Sequence, residues 1–308
     1  MLFVCGDTHG GEDGDLRKLG SKKFSSKIYK DVELKFSTKG NFLASVNFNV
    51  KPHKSDKNKD GKKLVDLHLN KSNNLVVLGD FGLVWTRPGG NKKHLKEELY
   101  YLKNLTRKSY QVCFLDGNHE NHDMLNELST IDYCGGKVGV AFQDSKGMVL
   151  HLKRGEVYTF NGKKVLVMGG AASYDTDNRT HGINWWSNEV MSNDEEQHTL
   201  DNLSKHNFKV DVVLTHNGPQ SIGISLSREI VIPSSKPYDF MNREYNNALA
   251  NKEKYTFKAN DKNALFFQLL IDKYNLQFNE WHFGHFHQDK IVNKKFHLHY
   301  NKPPFKLF

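Results

Sequence analysis

Eight side chains of metal-binding or proton-transferring type stand in five short polar clusters. Asp7 and His9 lie in GDTHG (6–10), Asp80 in GDFG (79–82), and Asn118 and His119 in GNHE (117–120). His216 lies in THNGP (215–219), and His285 and His287 lie in GHFH (284–287). Carboxylate oxygens, imidazole nitrogens and an amide oxygen together suit Mn, Fe, Zn, Co or Ni; the lack of Cys in these clusters disfavours a thiolate-zinc site. A carboxylate can also bridge two cations with separate oxygens. Glycine precedes Asp7, Asp80, Asn118 and His285, which lets the chain turn sharply and bring each side chain inward. The two histidines of GHFH, two apart on extended chain, share one face. Each cluster alone has a plainer explanation. A GD after a strand reads as a turn, a lone His as a surface or hydrogen-bonded group, and GHFH as ordinary strand histidines. DGNHE reads as a helix cap in which Asp116 or Asn118 satisfies free amides. Their joint occurrence in this order is what distinguishes them.

The elements that must position these clusters are legible around them. Five apolar runs, at 2–5, 75–78, 111–115, 164–168 and 210–214, each end at a polar cluster. Such runs predict strands buried on both faces, and the C-terminal ends of such strands are where layered α/β folds place ligands. Between them, helices are predicted at 94–108, with Leu95, Leu99, Leu102 and Leu105 on one face, at 121–128 and at 194–206. A fourth, at 262–274, carries a stripe of Leu265, Phe266, Leu269 and Leu270. Residues 282–300 alternate and read as strands. A strand is also expected at 42–50, followed by an exposed loop at 52–63.

Composition narrows the class. The 308 residues are 37% hydrophobic and 12% aromatic with only 7 Pro, enough for a sizeable core and unlike a disordered chain. No apolar run approaches the roughly 18 residues of a membrane span. The start MLFVCGD reads as a strand without a basic-apolar leader, and Cys5 and Cys113, two of three cysteines, sit in apolar runs. A reducing, cytoplasmic setting is the expectation. The formal charge is +9, unevenly spread. Residues 21–73 hold 13 Lys, no Arg and 5 acids, so +8 of the +9 lies there. This segment reads either as a solvated insertion or as a contact surface for nucleic acid or another polyanion. Without repeats or a Pro/Gly/Ser linker, the expectation is one domain over 1–308. Its insertions would be the Lys-rich one at about 21–73 and a second, without clear period, at about 223–260.

The five motifs, in this order across residues 6–287, resemble the calcineurin-like metallophosphoesterase superfamily. The resemblance implies an α+β fold, a four-layer α/β/β/α sandwich of two mixed β-sheets flanked by helices. It also implies two divalent metal ions, Mn2+ foremost, with Fe, Zn, Ni or Co as alternatives. Carried over by motif, Asp7, His9, Asp80 and His287 would hold the first ion. Asp80, Asn118, His216 and His285 would hold the second, with Asp80 bridging. Two such ions, roughly 3.5–4 Å apart in such sites, would supply an activated water as nucleophile for in-line attack on phosphorus. His119 would face the scissile phosphate as general acid or charge stabiliser.

Departures from the pattern narrow the substrate. Members acting on phosphoserine and phosphothreonine usually follow the second GD with an aspartate-arginine pair; GDFGLVW has none. A replacement cation is offered by Arg179 in GGAASYDTDNRTHG, whose plainer reading is a surface arginine. Trp185 and Trp186 beside it read as loop packing, with a wall of the pocket as the alternative. His181 reads as structural or exposed, with the pocket as the alternative. The GDFG and GGAAS text resembles a branch found in bacteria and their viruses, and heavy Lys and Asn use fits an A/T-rich genome. The expected activity is a phosphatase or phosphodiesterase. The alternatives are a nuclease guided by the basic segment and a non-catalytic scaffold. All seven ligands and His119 are present, which argues against the scaffold. Substrate identity, host and oligomeric state are not encoded in these motifs.

Overall fold

The computed structural model of the chain describes residues 1–9, 33–36, 42–45, 73–173, 175–228, 261–300, 302 and 304–308. The strands in chain order are β1 (Leu2–Cys5), β2 (Glu33–Phe36), β3 (Phe42–Ser45), β4 (Asn74–Leu78) and β5 (Gln111–Leu115). They continue as β6 (Thr130–Tyr133), β7 (Gly136–Asp144), β8 (Gly147–Leu152), β9 (Val157–Phe160) and β10 (Lys163–Met168). The last are β11 (Val212–Thr215), β12 (Glu280–Phe283), β13 (Lys290–Val292), β14 (Phe296–Leu298) and β15 (Phe305–Lys306). Helices among the described residues are α1 (Lys92–Thr106), α2 (His122–Asn126), α3 (Asn193–Ser204), α4 (Gln220–Arg228) and α5 (Lys262–Asp272).

Two mixed sheets result. One runs β15-β1-β4-β5-β8-β7-β6 and the other β13-β14-β12-β11-β10-β9. In the first, β1, β4, β5 and β8 are parallel; in the second, β10, β11, β12 and β14 are. The period-2 alternation of buried strands assigns each residue to a layer. Leu2, Val4, Val76 and Leu78 meet Val165, Val167, Val212 and Leu214 between the sheets. Phe3, Leu75, Val77 and Phe114 face outward onto Leu102 and Leu105 of α1. Leu166, Val213, Trp281 and Phe283 face the other way, onto Leu203, Phe267 and Leu270. Each large side chain so buried contributes about 1.5–3 kcal/mol. This is the α+β, two-sheet arrangement expected, with helices outside.

All five apolar runs are strands, and the four expected helices form with shifted ends. Two stripe assignments need correction. Leu265 and Leu269 of α5 are 41% and 48% exposed, while Ala264, Phe266, Phe267 and Leu270 are buried. Leu99 of α1 is 44% exposed, leaving Leu102 and Leu105 as its buried contacts. The antiparallel strands β6 to β9 were not anticipated. Their hairpins close through two-residue turns, Cys134-Gly135 and Asn161-Gly162, all with positive φ. Asn-Gly between strand-like runs is a strong hairpin signal. The start of the stretch expected as the second insertion, 223–228, belongs to α4. The rest of that stretch, the loop at 52–63, residues 46–50, Gly10 and most of the Lys-rich segment lie outside the described residues. Cys5 and Cys113 are buried thiols. No helix among the described residues is long and apolar enough to cross a membrane.

Candidate metal centre

The loops after β1, β4 and β5 in one sheet meet the loops after β11 and β12 in the other. Sharp turns at these ends put non-glycine residues in the left-handed region: His9 (φ 45°), Asp80 (48°), His285 (63°) and His287 (52°). Such backbone costs on the order of 1–3 kcal/mol per residue and concentrates at functional sites. The motif glycines act mostly by close approach. A Cβ at Gly117 would lie 2.0 Å from Asp80 Oδ1, and one at Gly284 would lie 2.1 Å from Asp7 Oδ1. Each glycine therefore admits a carboxylate from a different motif, which interlocks the loops. Gly79 (φ 91°) and Gly82 (φ 69°) of GDFG also use the left-handed freedom of glycine.

The expected side chains converge. Asp7, His9 and His287 each offer one donor atom within 4.8 Å of the other two. His287 Nε2 is 3.4 Å from Asp7 Oδ2 and 3.2 Å from His9 Nε2. Asp80 lies between two groups: Oδ2 is 3.7 Å from His9 Nδ1, and Oδ1 is 3.4 Å from His216 Nε2. Asn118 Oδ1 is 3.1 Å from the same His216 nitrogen. The His285 backbone N–H donates to the Asp7 carboxylate, and its ring is centred 4.9 Å from that of His216.

Neighbouring groups fix which atoms face inward. His216 Nδ1–H donates to the Leu78 carbonyl (2.8 Å), leaving Nε2 aimed at the centre. Asn118 Nδ2 donates to Ser173 Oγ (3.1 Å), and Ser173 Oγ donates to Glu189 (2.8 Å), so Asn118 Oδ1 turns inward. Two acceptors, Asn118 Oδ1 and His216 Nε2, then face each other at 3.1 Å. Only a positive charge between them, a proton or a metal ion, relieves that contact. The donor set thus fits divalent metal, with orienting partners of the kind metal ligands require. The surrounding charges agree. Burial alone would raise the Asp80 carboxyl, but His216, His119 and His9 hold it below the usual range. Burial disfavours charge on His216, yet Asp80 and Asp7 outweigh it and raise its pKa.

His119 turns its backbone N–H to Asp80 Oδ1 (2.9 Å) and its ring toward His9, with centroids 5.6 Å apart. Arg179 Nη1 lies 3.2 Å from His119 Nδ1, and its other arm is paired with Asp175 (2.8 Å). A guanidinium only donates, so Nδ1 accepts and the ring proton resides on Nε2. Burial, with Arg179, His9 and His216 adding to it, outweighs the pull of Asp80 and lowers the His119 pKa. Trp186 is buried, donating to Asp123 and packing on Trp85, as loop packing requires. His181 is exposed against Trp185.

Several supporting residues escaped the motif reading. The Glu120 carboxylate accepts the Phe81 and Gly82 N–H groups and ties GDFG to GNHE. Asp261 caps α5 while accepting from Ala172 and Asn217, so it joins GGAAS to THNGP. Tyr300 stacks on His287 at 4.5 Å. Of these, only the Asp261 cap before an apolar helix was legible in the sequence.

Residues 2–289 match the family model described as calcineurin-like phosphoesterase, and the chain belongs to that family. No curated protein matches the chain. Membership sets the general chemistry: metal-dependent cleavage of phosphoesters.

Proposed function

We propose that the chain is a binuclear metal hydrolase acting on a phosphomonoester or phosphodiester. Asp7, His9, Asp80 and His287 would hold one ion, and Asp80, Asn118, His216 and His285 the other. The observation that carries this reading is Asp80, whose two oxygens face the two ligand groups separately, at 3.7 Å from His9 and 3.4 Å from His216. Two bound ions, Mn2+ foremost, supply Lewis acidity and an activated water at neutral pH. The chain's own residues do the rest. His119 presents Nε2–H to the leaving oxygen, since Arg179 occupies Nδ1. Arg179, held by Asp175, adds positive charge beside that position, where phosphoryl oxygens gather. Its proposed part as a phosphate contact and its hold on His119 are compatible, because a guanidinium has five donors.

The test is a panel of aryl monoester, aryl diester, cyclic nucleotides and single-stranded DNA with Mn, Ni, Zn and Mg. Turnover should vanish on chelation and return best with Mn. His119→Ala should keep its metal content and lose about 10²–10⁴-fold in rate on poor leaving groups. The loss on a nitrophenyl ester should be much smaller. Equal losses on both, or metal lost with the histidine, overturn the assignment. The nuclease alternative differs in substrate and rests on the charge of residues 21–73. DNA turnover with a steep salt dependence distinguishes it.

A further inference from the structure

Away from the strand-end loops, a second three-residue group with metal-ligand spacing lies on β12 and β14. Glu280 and His282, two apart on β12, share one face of that strand. His297 on β14 stands in register with His282 across a parallel pair, and His299 follows on the same face. Glu280, His282 and His297 each offer a donor atom within 4.8 Å of the other two. Glu280 Oε2 is 3.1 Å from His282 Nε2, and the His282 and His297 rings stack at 4.6 Å. His282 Nδ1 lies 2.9 Å from His299 Nε2. His282 is fully buried and His297 only 7% exposed, whereas the Glu280 side chain, 40% exposed, opens the cluster to solvent.

A hydrogen-bond relay from Glu280 through His282 to His299 satisfies those three groups and leaves His297 out. His297 Nε2 is buried without a hydrogen-bond partner among the described residues. Such a group carries a desolvation cost that a native fold normally offsets. A cation does so directly. One carboxylate oxygen and two imidazole nitrogens make a three-ligand set of borderline softness. His282 Nδ1–H would then donate to His299, the orienting bond that metal-bound imidazoles make. Burial also lowers the pKa of His282 and of His299, favouring the neutral rings that ligation needs.

We propose that Glu280, His282 and His297 form a further metal site, taking a zinc-class divalent ion and clipping β12 to β14. The clip bears on the strand-end centre through backbone. The His299 N–H donates to the Phe283 carbonyl (2.9 Å) next to GHFH, and the His299 carbonyl packs on Gly6, which precedes Asp7, so closely that a Cβ there would lie 2.3 Å from its oxygen. Phe305 covers the rings of His282, His297 and His299 at 5.6–5.8 Å between centroids.

The experiment is zinc stoichiometry by equilibrium dialysis on the full chain, comparing wild type with Glu280→Gln and His297→Gln. Each variant should bind one equivalent fewer, or bind that equivalent at least tenfold more weakly, with the strand-end complement retained. The zinc-induced rise in thermal midpoint should shrink accordingly. Unchanged stoichiometry and affinity in Glu280→Gln overturns the site. Should His297→Gln not fold, the half-exposed Glu280 variant and anomalous scattering at the zinc edge decide. A peak among the three side chains supports the site, and its absence from zinc-soaked wild-type crystals overturns it. Asp80→Asn protein that keeps only this equivalent separates the clip from the proposed catalytic pair, since either can fail without the other.

Discussion

Asp80 and Asp116 invite comparison. Both are buried carboxylates, each 1% exposed, just past neighbouring parallel strands of one sheet. Their surroundings differ in kind. Asp116 is closed by a fixed cation: Arg154 reaches Oδ2 through Nε (2.8 Å) and Nη2 (2.6 Å), while His151 Nε2 lies 3.1 Å from Oδ1. Arg154 and His151 hold the Asp116 carboxyl well below the usual range despite its burial. Asp80 meets no arginine or lysine in any described contact; its neighbours are histidines and one backbone N–H. Histidine can give up its proton to a metal and arginine cannot. A buried carboxylate whose charged partners are all histidines is suited to a metal ion in place of their protons, whereas one held by arginine is a structural ion pair. The DGNHE segment contributes to both, with Asp116 in the ion pair and Asn118 among the proposed ligands.

The largest expected effect breaks the comparison at Asp80. Asp80→Asn should leave the fold intact and lose both ions, with turnover down by roughly 10³-fold or more, the scale of several kcal/mol of Lewis-acid stabilisation. Elemental analysis finding two full-occupancy metals in this variant contradicts the bridging role. The converse substitution is Arg154→Met. It strands the Asp116 charge in the interior, and breaking such a pair costs about 3–5 kcal/mol. Urea unfolding should show that loss, while metal content at low temperature stays at the wild-type level. Removing both charges, as Asp116→Asn with Arg154→Met, should recover part of it. Metal loss in folded Arg154→Met protein would show that the two regions are not separable in this way.

The contrast also explains what the sequence made legible. The proposed ligand side chains cluster after apolar runs because strand ends must carry them, so Asp7, Asp80, Asn118, His216 and His285 could be read as a set. The layered core was legible for the same reason: four- and five-residue runs buried on both faces have few alternatives. Arg154 and His151 were not legible as partners of Asp116, because 35 to 38 residues separate them and nothing local marks the pairing. The Glu189–Ser173–Asn118 chain is equally non-local. The β6 to β9 hairpins went unread for a different reason. β6 and β7 are half exposed, and the mostly buried β8 and β9 are broken by His151 and Thr159, so no long apolar run announces them, although Asn161-Gly162 does mark a turn. The Glu280 cluster escaped because its residues lie within ordinary strand text, and only the register of β12 against β14 joins them.

The smallest expected effect sharpens the comparison through pH. His122 lies beside the Asp116 network; burial first, then Arg154, lowers its pKa to about 3. In the unfolded chain the same group titrates near 6.5. Between those values the unfolded state binds a proton that the folded state refuses, so stability falls as pH falls, by up to about 1.4 kcal/mol per pH unit. His216 has the opposite sign in metal-stripped protein. Its folded pKa is raised by Asp80 and Asp7, so its contribution is fully present below about 6.5 and is lost as pH rises through the folded value. The two windows lie on either side of 6.5. Urea-unfolding midpoints from pH 5 to 8 in chelator separate them. His122→Gln should flatten the loss on the acid side and leave the alkaline side alone. His216→Gln should flatten the alkaline side only. Saturating metal should also remove the His216 component, because the ion takes the place of the proton. A His122→Gln profile that matches wild type below pH 6.5 would mean that the acid response of this fold arises elsewhere than in the Asp116 network.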